Sequence, residues 1–207
     1  MEIILLGFIW YQIIAIFGIS IGLHRYYSHR MDFKISKLYE IIILLMVTIA
    51  GARSVLGWCA SHRIHHRYAD TEKDPHSPTY LGFWKVVFNR WTIPKVERKL
   101  VNDLLKNKLV VFQHKYWYEI LIIISIISTL ISVKFFTIFV VIPFVLSNIG
   151  YGLFNALGHR DNKPVTNMFI YLLSNGEAYH DIHHNDGGKI RLGKWDLSGL
   201  IIEKILK

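Results

Sequence analysis

Three long apolar segments, separated by polar and basic stretches, dominate the hydrophobic pattern of the chain. They cover residues 3–23, 118–133 and 135–157 and carry almost no charge. A helix needs about 20 predominantly apolar residues to cross the roughly 30 Å hydrocarbon core of a bilayer. The first and third segments reach this length, and the second falls short of it. The pattern therefore predicts about three transmembrane helices.

A fourth apolar segment, residues 38–56, has a different pattern. Only residues 41–50 are free of polar interruptions. About 10–14 apolar residues favour a helix that lies at the membrane interface or re-enters it. Residues 80–116 mix large apolar side chains with many lysines, which predicts amphipathic helices on the membrane surface. No internal repeat is visible, so a single domain over residues 1–207 is expected.

The composition and charge agree with a membrane protein. Hydrophobic residues make up 52% of the chain and the mean hydropathy is +0.31, which is too apolar for an ordinary soluble domain. The net charge is +9, and the basic residues concentrate in residues 24–37, 62–115 and 158–207. By the positive-inside rule these segments lie on the cytoplasmic side and the N-terminus lies opposite. Because the cations flank apolar spans, we expect membrane lipids or an acidic protein as partners, and no nucleic acid.

Two smaller features narrow the class of protein. The first apolar segment lacks a basic n-region and a small-residue cleavage site, so we expect it to stay in the mature chain. The only cysteine, Cys59, excludes an internal disulfide and any cysteine-built metal centre. Cys59 is interpreted as a small packed residue beside Trp58.

The candidate chemistry lies in the 11 histidines. Eight of them form three boxes: His24-Arg-Tyr-Tyr-Ser-His29, His62-Arg-Ile-His65-His66 and His180-Asp-Ile-His183-His184. The H-x-x-H-H pattern occurs twice, whereas 11 histidines in 207 residues would give roughly 0.03 occurrences by chance. Ionisable groups at the ends of membrane segments are costly unless they have a function. The isolated His76 and His114 are interpreted as ordinary structural residues.

The spacing of the boxes predicts that their side chains converge. On an α-helix, positions i, i+3 and i+4 fall within roughly 100° of one another, so each H-x-x-H-H box should aim its three imidazoles at a common point. His24 and His29 are five residues apart and would diverge by about 140° on a straight helix. They converge only if the helix frays or carries a π-bulge there.

Convergence of the boxes also predicts the topology. Ligands of one cluster lie within a few ångströms of each other, whereas a membrane crossing displaces the chain by about 30 Å. Residues 38–56 join the first box to the second and therefore cannot cross. The apolar region 118–157 must cross and return as a hairpin that turns near Val133 and Lys134.

The number of histidines limits the kind of metal site. Imidazole ligands suit Zn, Cu, Fe or Ni, so the ligand type alone leaves the metal open. Eight or nine histidines are too many for one tetrahedral zinc and suit two metals of higher coordination number. A bis-histidine haem protein would not need adjacent pairs such as His65-His66, and a zinc hydrolase would need a glutamate base in the box. Two irons at a membrane surface would point to dioxygen activation on an apolar substrate.

Several motifs together resemble the delta-9 class of acyl-CoA and acyl-lipid desaturases within the membrane fatty acid desaturase family. They are the boxes HRYYSH, HRIHH and HDIHH, the sequence Asp74-Pro75-His76, the stretch LVVFQHKY at 109–116, and Asn155-Ala-Leu-Gly-His159. The resemblance covers about residues 24–197. It implies an all-α membrane protein with about three transmembrane helices, interfacial helices and a cytoplasmic histidine-rich di-iron cap.

The resemblance also implies the ligands and the reaction. His159 would be the ninth histidine ligand, and Asn155 would hold a metal-bound water. The implied metal-binding set is His24, His29, His62, His65, His66, Asn155, His159, His180, His183 and His184. Two iron ions with dioxygen as co-substrate would introduce a cis double bond into a saturated fatty acyl chain. Electrons would come from a separate donor of the ferredoxin or cytochrome b5 type that docks on the basic cytoplasmic face.

Two departures from the family pattern leave alternatives open. Only 23 residues precede His24, enough for one span where the family usually has two. After His184 the usual aromatic and proline-containing run is replaced by Asn-Asp-Gly-Gly-Lys at 185–189. The acyl tunnel could thus be incompletely enclosed. The alternatives are a hydroxylase or ketolase on the same scaffold and a catalytically idle metal-binding membrane protein.

Overall fold

The computed structural model describes residues 1–92, 95–174 and 177–206 of the chain. Over these residues the chain is mainly helical. The helices are α1 (Glu2–Ser28), α2 (Lys37–Ile49), α3 (Val55–Tyr68), α4 (Pro78–Leu81), α5 (Phe83–Val87), α6 (Asn102–Leu105), α7 (Lys108–Ile131), α8 (Val133–Leu157), α9 (Tyr171–Ser174), α10 (His180–Asn185) and α11 (Leu197–Ile201). Short 3₁₀ turns cover Arg98–Val101 and Met168–Ile170, and π-helical turns over Ile202–Leu206 extend α11. A two-stranded antiparallel ribbon, β1 (His159–Arg160) and β2 (Lys163–Pro164), pairs His159 with Pro164 and Arg160 with Lys163.

Three helices are long and apolar enough to cross a membrane, as predicted. They are α1, α7 and α8, with 27, 24 and 25 residues. At most a third of each apolar window is buried inside the protein, so most of that surface is left to face lipid. The fold class predicted from the sequence, an all-α membrane protein with about three spans, is confirmed.

The second span is longer than its apolar segment. Helix α7 begins at Lys108, but the backbone of Tyr116 leaves helical geometry at φ −122° and ψ 16°. This kink separates a lysine-bearing first part from the apolar part that follows. Ser132 is extended and its hydroxyl accepts a hydrogen bond from the Phe135 amide, which ends α7 and starts α8 one residue before the predicted turn.

Helix α1 changes its winding halfway along. Glu2–Ile13 is α-helical, whereas Ile14–Ser28 has the i→i+5 hydrogen bonding of a π-helix. At its end the His29 amide donates to the His24 carbonyl oxygen over 3.0 Å. Long π-helical stretches are rare and are often found at functional sites. A frayed end or a π-bulge was expected here if His24 and His29 converge, and the structure has a longer π-helical segment.

Helix α2 lies in the segment for which an interfacial position was predicted. Its 13 residues begin at the cap Ser36, whose hydroxyl accepts from the Tyr39 amide, and they rise only about 20 Å, too little to cross roughly 30 Å of hydrocarbon. One face packs Ile43 and Val47 into the core, and the opposite face exposes Leu38. These features fit a short amphipathic helix.

The main core lies between α1, α2, α3 and the start of α7. Leu23, Ile43, Val55 and Cys59 are fully buried there. The Cys59 thiol lies 3.7 Å from the Leu23 carbonyl oxygen, which fits the structural role interpreted from the sequence. This core fixes the first two histidine boxes relative to each other.

One buried amide joins the turn between α2 and α3 to α7. Gln113 donates to the Thr48 hydroxyl over 3.1 Å and to the Arg53 carbonyl over 3.0 Å, and it accepts from the Val55 amide over 3.0 Å. The bonds to Val55 and Arg53 satisfy backbone groups beside the start of α3, where such groups lack intrahelical partners. Gln113 therefore holds the start of the second-box helix against the second span.

The amphipathic region predicted at 80–116 forms short helices. They are α4, α5, α6 and the first turns of α7, and residues 93 and 94 lie outside the described part of the chain. Tyr80, Trp84 and Phe88 are exposed, with basic residues such as Lys85 between them. This mixture of aromatic and basic side chains is typical of a membrane-interface region.

Substitution of Gly152 by alanine is expected to destabilise the contact between α5 and α8. A Cβ at this position would overlap the backbone carbonyl of Val87, which cannot move aside as the end of a flexible side chain can. We expect the free energy of unfolding to fall by about 1–3 kcal/mol, measured by denaturant unfolding in detergent. Gly188→Ala is the control, because its Cβ would meet only the Asp186 carboxylate at 3.5 Å. Equal losses in the two variants would contradict the prediction.

Candidate metal centre

The three histidine boxes come together at one end of the helices. The first box is at the C-terminal end of α1, the second is on α3 and the third is on α10. His159 joins them from the first residue of β1. Four separate parts of the chain therefore contribute to one site.

Nine histidines form two adjacent groups. The five-histidine cluster consists of His24, His29, His62, His66 and His183. The four-histidine cluster consists of His65, His159, His180 and His184. Within each cluster one nitrogen of every ring lies within 4.8 Å of the others. These are the nine histidines predicted from the sequence and the resemblance, divided between two centres.

The distances between ring nitrogens fit ligands around a metal ion. In the five-histidine cluster the Nε2 of His183 lies 3.1 Å from that of His24 and 2.9 Å from that of His66. In the four-histidine cluster the Nε2 atoms of His159 and His180 are 2.8 Å apart. Two nitrogens bound at right angles, each about 2.1 Å from a metal, would lie about 3.0 Å apart. The residues therefore fit one metal ion per cluster.

The π-helical end of α1 explains how the first box converges. An i→i+5 hydrogen bond brings residue i+5 back over residue i after one turn, as an i→i+4 bond does in an α-helix. The rings of His24 and His29 are 4.7 Å apart, and both lie in the five-histidine cluster. The wider winding therefore removes the divergence expected for an ordinary helix.

The prediction that each H-x-x-H-H box aims at one common point is wrong. Both boxes divide between the clusters. In the second box His62 and His66 belong to the five-histidine cluster and His65 to the other. In the third box His180 and His184 belong to the four-histidine cluster and His183 to the other. The physical reason is that positions i and i+4 nearly superpose along a helix, whereas i+3 and i+4 are about 100° apart.

Burial keeps several of these imidazoles neutral. It lowers the pKa of His62, His65, His180 and His183 well below the ordinary histidine value. A second cause is the proximity of the other histidines, since several cations cannot share so small a volume. Metal ligation requires neutral imidazole, so the site favours a metal ion over protons.

Three carboxylates hold the outer nitrogens of the cluster histidines. Asp74 accepts from His65 Nδ1, and Asp70 accepts from His159 Nδ1, both at 3.0 Å. Glu177 lies 3.1 Å from His24 Nδ1. Such partners orient a ligating ring and make its other nitrogen a better donor to metal. Sequence reasoning missed Asp70 and Glu177 and noted Asp74 only as part of the resemblance.

Glu177 is part of a buried charge network. Its carboxylate also accepts from the Ser20 hydroxyl at 2.5 Å and lies 3.3 Å from Arg25 Nη2. Burial alone would raise the pKa of Glu177, but the charge of Arg25 and the contacts with His24 and Ser20 outweigh it and lower that pKa to about 2. Arg25 is fully buried and also pairs with Asp196 at 2.9 Å. The network joins the first box to the segment that follows the third.

Asp74→Asn is expected to weaken metal binding by the four-histidine cluster. Asp74 accepts from His65 Nδ1 and from the amides of Asp70 and His76, and one of its two oxygens would become a donor. Loss of such a partner typically costs 10–100-fold in metal affinity. Metal retained per chain at increasing chelator concentration measures the effect. Asp186→Asn is the control, because Asp186 is exposed and accepts from the Gly188 amide. Identical chelator curves for Asp74→Asn and the unmodified protein would contradict the prediction.

The two histidines interpreted as structural have different positions. His114 is exposed on α7 and its Nδ1 lies 2.8 Å from the Ser54 hydroxyl, away from both clusters. His76 is buried, with its ring 4.3 Å from that of His65 and 5.1 Å from that of Trp91. His76 therefore does not stand alone in the fold, although it belongs to neither cluster of the nine.

A cavity of about 160 Å³ reaches the histidines from one side. Four of the nine, His24, His62, His65 and His180, form part of its wall. Most of the remaining wall is apolar and comes from α1, α8 and α9, namely Tyr11, Ala15, Ile19, Leu23, Phe154 and Leu173. Asn155 also lines the cavity and is buried, and its amide nitrogen has no hydrogen-bond partner among the described residues apart from the Tyr151 hydroxyl. Its assignment as the holder of a metal-bound water stays a prediction.

Comparison with known proteins identifies the family to which this chain is similar. The sequence model of the family described as fatty acid desaturase matches residues 3–188. The Delta(9)-fatty-acid desaturase fat-6 of Caenorhabditis elegans is 28% identical over an alignment 205 residues long. The match covers 87% of this chain and 60% of the relative's own length. Acyl-CoA desaturase 3 of Mus musculus is 28% identical over 87% of this chain and 56% of its own length. Icosanoyl-CoA 5-desaturase of Limnanthes douglasii is 32% identical over 87% of this chain and 54% of its own length.

The matches cover little more than half the length of each relative. The family model, by contrast, takes in nearly the whole of this chain, including all three histidine boxes and His159. The chain belongs to the fatty acid desaturase family.

Proposed function

We propose that this protein binds two iron ions and introduces a cis double bond near the middle of a saturated fatty acyl chain. The observation that carries the proposal is the pair of histidine clusters beside one largely apolar cavity. The five-histidine cluster would hold one iron and the four-histidine cluster the other. Asn155 would hold a water molecule bound to the metal centre.

The cavity supports a fatty acyl substrate. Aliphatic and aromatic side chains such as Ile19, Leu23 and Phe154 line its approach to the histidines. An alkyl chain has no polar group near its middle, so only the shape of the cavity can select which carbon atoms lie at the metals. The names of the relatives specify fatty-acid and acyl-CoA desaturases, which supports an acyl-CoA or acyl-lipid substrate.

Bound iron would supply the reductive activation of dioxygen that unactivated C–H bonds require. The neutral imidazoles of the two clusters would bind the metals through Nε2. Asp70, Asp74 and Glu177 would hold the protons on the outer nitrogens of His159, His65 and His24. The apolar wall would exclude water and keep two adjacent methylenes at the centre, so that both hydrogens are removed before oxygen is transferred to carbon.

The reaction also needs electrons from a second protein. The basic segments 62–115 and 158–207 make the face that carries the histidines attractive to an acidic carrier. We infer a separate donor of the ferredoxin or cytochrome b5 type, and a cytoplasmic position for the site. Accessibility labelling of cysteines introduced at the exposed residues 30 and 67 should find both on the same side of the membrane. Labelling from opposite sides would overturn this topology.

Expression in a host that cannot make unsaturated fatty acids tests the proposed reaction. Chromatography and mass spectrometry of the fatty acid methyl esters should show a product two hydrogens lighter than its precursor, with a cis bond at one position. A product heavier by one oxygen would identify a hydroxylase on the same scaffold. An iron-loaded protein that gives neither product with several electron donors would identify a metal-binding protein without this activity. The His62→Ala variant, expressed in parallel, controls for conversion by the host.

A further inference from the structure

One wall of the cavity carries a row of polar side chains inside an otherwise apolar span. Ser147, Tyr151 and Asn155 are spaced four residues apart on α8, so they lie on one face of that helix. All three line the cavity. The mean hydropathy of the span reaches 1.9, which makes three polar residues on its inner face unusual. We refer to these three residues as the polar wall.

The polar wall has few hydrogen-bond partners. Across residues 1–92, 95–174 and 177–206, no group pairs with Ser147 Oγ, and the Tyr151 hydroxyl and the Asn155 side-chain amide have only each other as partners, although all three groups are enclosed. Asn155 as a whole is only 4% exposed. Buried polar groups in native proteins are almost always satisfied, and water does this where protein does not. A row of three enclosed polar groups with so few protein partners therefore indicates a line of bound water.

Helix α1 contributes an apolar wall to the same cavity. Ala15, Ile19 and Leu23 from α1 present apolar side chains. The Tyr11 hydroxyl donates to the Leu173 carbonyl over 2.8 Å and is satisfied. A hydrocarbon chain fits this wall, whereas against the polar wall it would leave the polar groups without water partners.

The polar wall connects the histidines to the rim of the cavity. Asn155 precedes the ligand His159 by one helical turn, and Ser147 lies about 12 Å further along α8. Beyond Ser147, the Asn148 carbonyl accepts from Asn89 Nδ2 over 2.9 Å. Asn89 and Trp91 are partly exposed at the rim, and Asn89 Oδ1 and Trp91 Nε1 lack partners within the same described ranges. Polar atoms with few or no protein partners thus continue from the metal site to the rim.

We propose that the polar wall binds a file of ordered water molecules that delivers protons to the dioxygen chemistry. The inference rests on the proposed function, since desaturation consumes protons: R–CH2–CH2–R′ + O2 + 2 e⁻ + 2 H⁺ gives R–CH=CH–R′ + 2 H2O. The two electrons come from the separate one-electron carrier, and the two protons come from solvent at the rim. An acyl chain packed against the apolar wall would exclude water there and leave water only along the polar wall.

The test compares Tyr151→Phe with the unmodified iron-loaded enzyme. Removal of the central hydroxyl interrupts the file without changing the shape of the cavity greatly. We expect the alkene formed per pair of electrons consumed to fall about tenfold, less than the 10²–10⁴-fold typical of a lost proton-transfer group because water can partly replace the hydroxyl. The remaining electrons should appear as hydrogen peroxide, and the solvent deuterium isotope effect should increase.

Tyr39→Phe is the matched control. Its hydroxyl donates to the Phe17 carbonyl over 3.2 Å, and Tyr39 does not line the cavity. The same loss of a hydroxyl there should leave both the yield per electron pair and the isotope effect unchanged.

An experimental structure of the iron-loaded protein gives a readout independent of activity. Ordered water within hydrogen-bond distance of Ser147, Tyr151 and Asn155 would support the proposal. A polar wall without ordered water would overturn the proposal. A higher unfolding temperature for Ser147→Ala and Tyr151→Phe would also overturn it, because removal of a buried polar group that has no water partner stabilises the fold.

A change in the KM for different acyl carriers, with unchanged yield per electron pair, would instead show that the polar wall binds the polar head of the substrate. The unmodified enzyme tests the proposed reaction separately, since its alkene product does not depend on these variants.

Discussion

His183→Ala is expected to abolish desaturation and to reduce the iron content from two ions per chain to about one. The Nε2 of His183 lies 3.1 Å from that of His24 and 2.9 Å from that of His66, so it joins the first and second boxes within the five-histidine cluster. Loss of an outer partner already costs 10–100-fold in metal affinity or activity, and loss of a ligand should cost more than about 100-fold. Metal analysis of the purified protein and the yield of unsaturated methyl esters measure the two effects.

Matched variants separate the two clusters. His180→Ala should have the same effects through the four-histidine cluster, as should His62→Ala, His65→Ala and His184→Ala through their own clusters. His114→Ala should change neither iron content nor activity, because His114 is exposed, lies against the Ser54 hydroxyl and belongs to neither cluster. Two irons and full activity in the variants at 180 and 183 would refute the assignment of the ligands.

Arg25→Met is expected to cause the largest loss of stability among the substitutions proposed. The guanidinium is fully buried, 2.9 Å from the Asp196 carboxylate and 3.3 Å from that of Glu177. Methionine fills a similar volume but leaves two buried carboxylates without their cation. Removal of one partner from a buried ion pair typically costs about 3–5 kcal/mol. Denaturant unfolding of the detergent-solubilised protein measures the loss.

Lys37→Met is the control for Arg25→Met, because it removes the cation of an ion pair at the protein surface. Lys37 pairs with Glu40 at 3.1 Å, but its side chain is 69% exposed. Exposed pairs contribute about 0–1 kcal/mol, so this variant should unfold almost as the unmodified protein does. A loss for Arg25→Met no greater than that for Lys37→Met would show that the buried network does not stabilise the fold.

The spans and the ligand histidines could be predicted because their determinants are local. Uninterrupted apolar runs gave α1, α7 and α8, since only helices of that length satisfy their backbone across a bilayer. The H-x-x-H-H spacing identified helical histidines that come together in the fold, without knowledge of the rest of the structure. His159 lies in none of the three boxes and was found only through the resemblance, because a single histidine at the start of a short strand has no spacing to recognise.

The division of the ligands and their carboxylate partners depends on tertiary structure. Whether His65 or His66 faces a given cluster is set by how α3 is rotated against α1 and α10. Asp70 reaches His159 from a left-handed backbone position at φ 60°, 89 residues away in sequence. Glu177 contacts the His24 ring although it lies 153 residues further along the sequence. Such contacts leave no periodic pattern in the sequence.

The wide sequence separation within each cluster has a consequence for biosynthesis. His183 meets His24 across 159 residues, and His184 meets His65 across 119. Translation produces the first two boxes well before the third, so neither centre can be complete until His183 and His184 have been made. During that interval the incomplete sets of imidazoles are open to Cu²⁺ and Zn²⁺, which bind such ligands more tightly than Fe²⁺ does. If the site holds iron as proposed, we expect iron to bind correctly only after the third box has been made and has joined the other two.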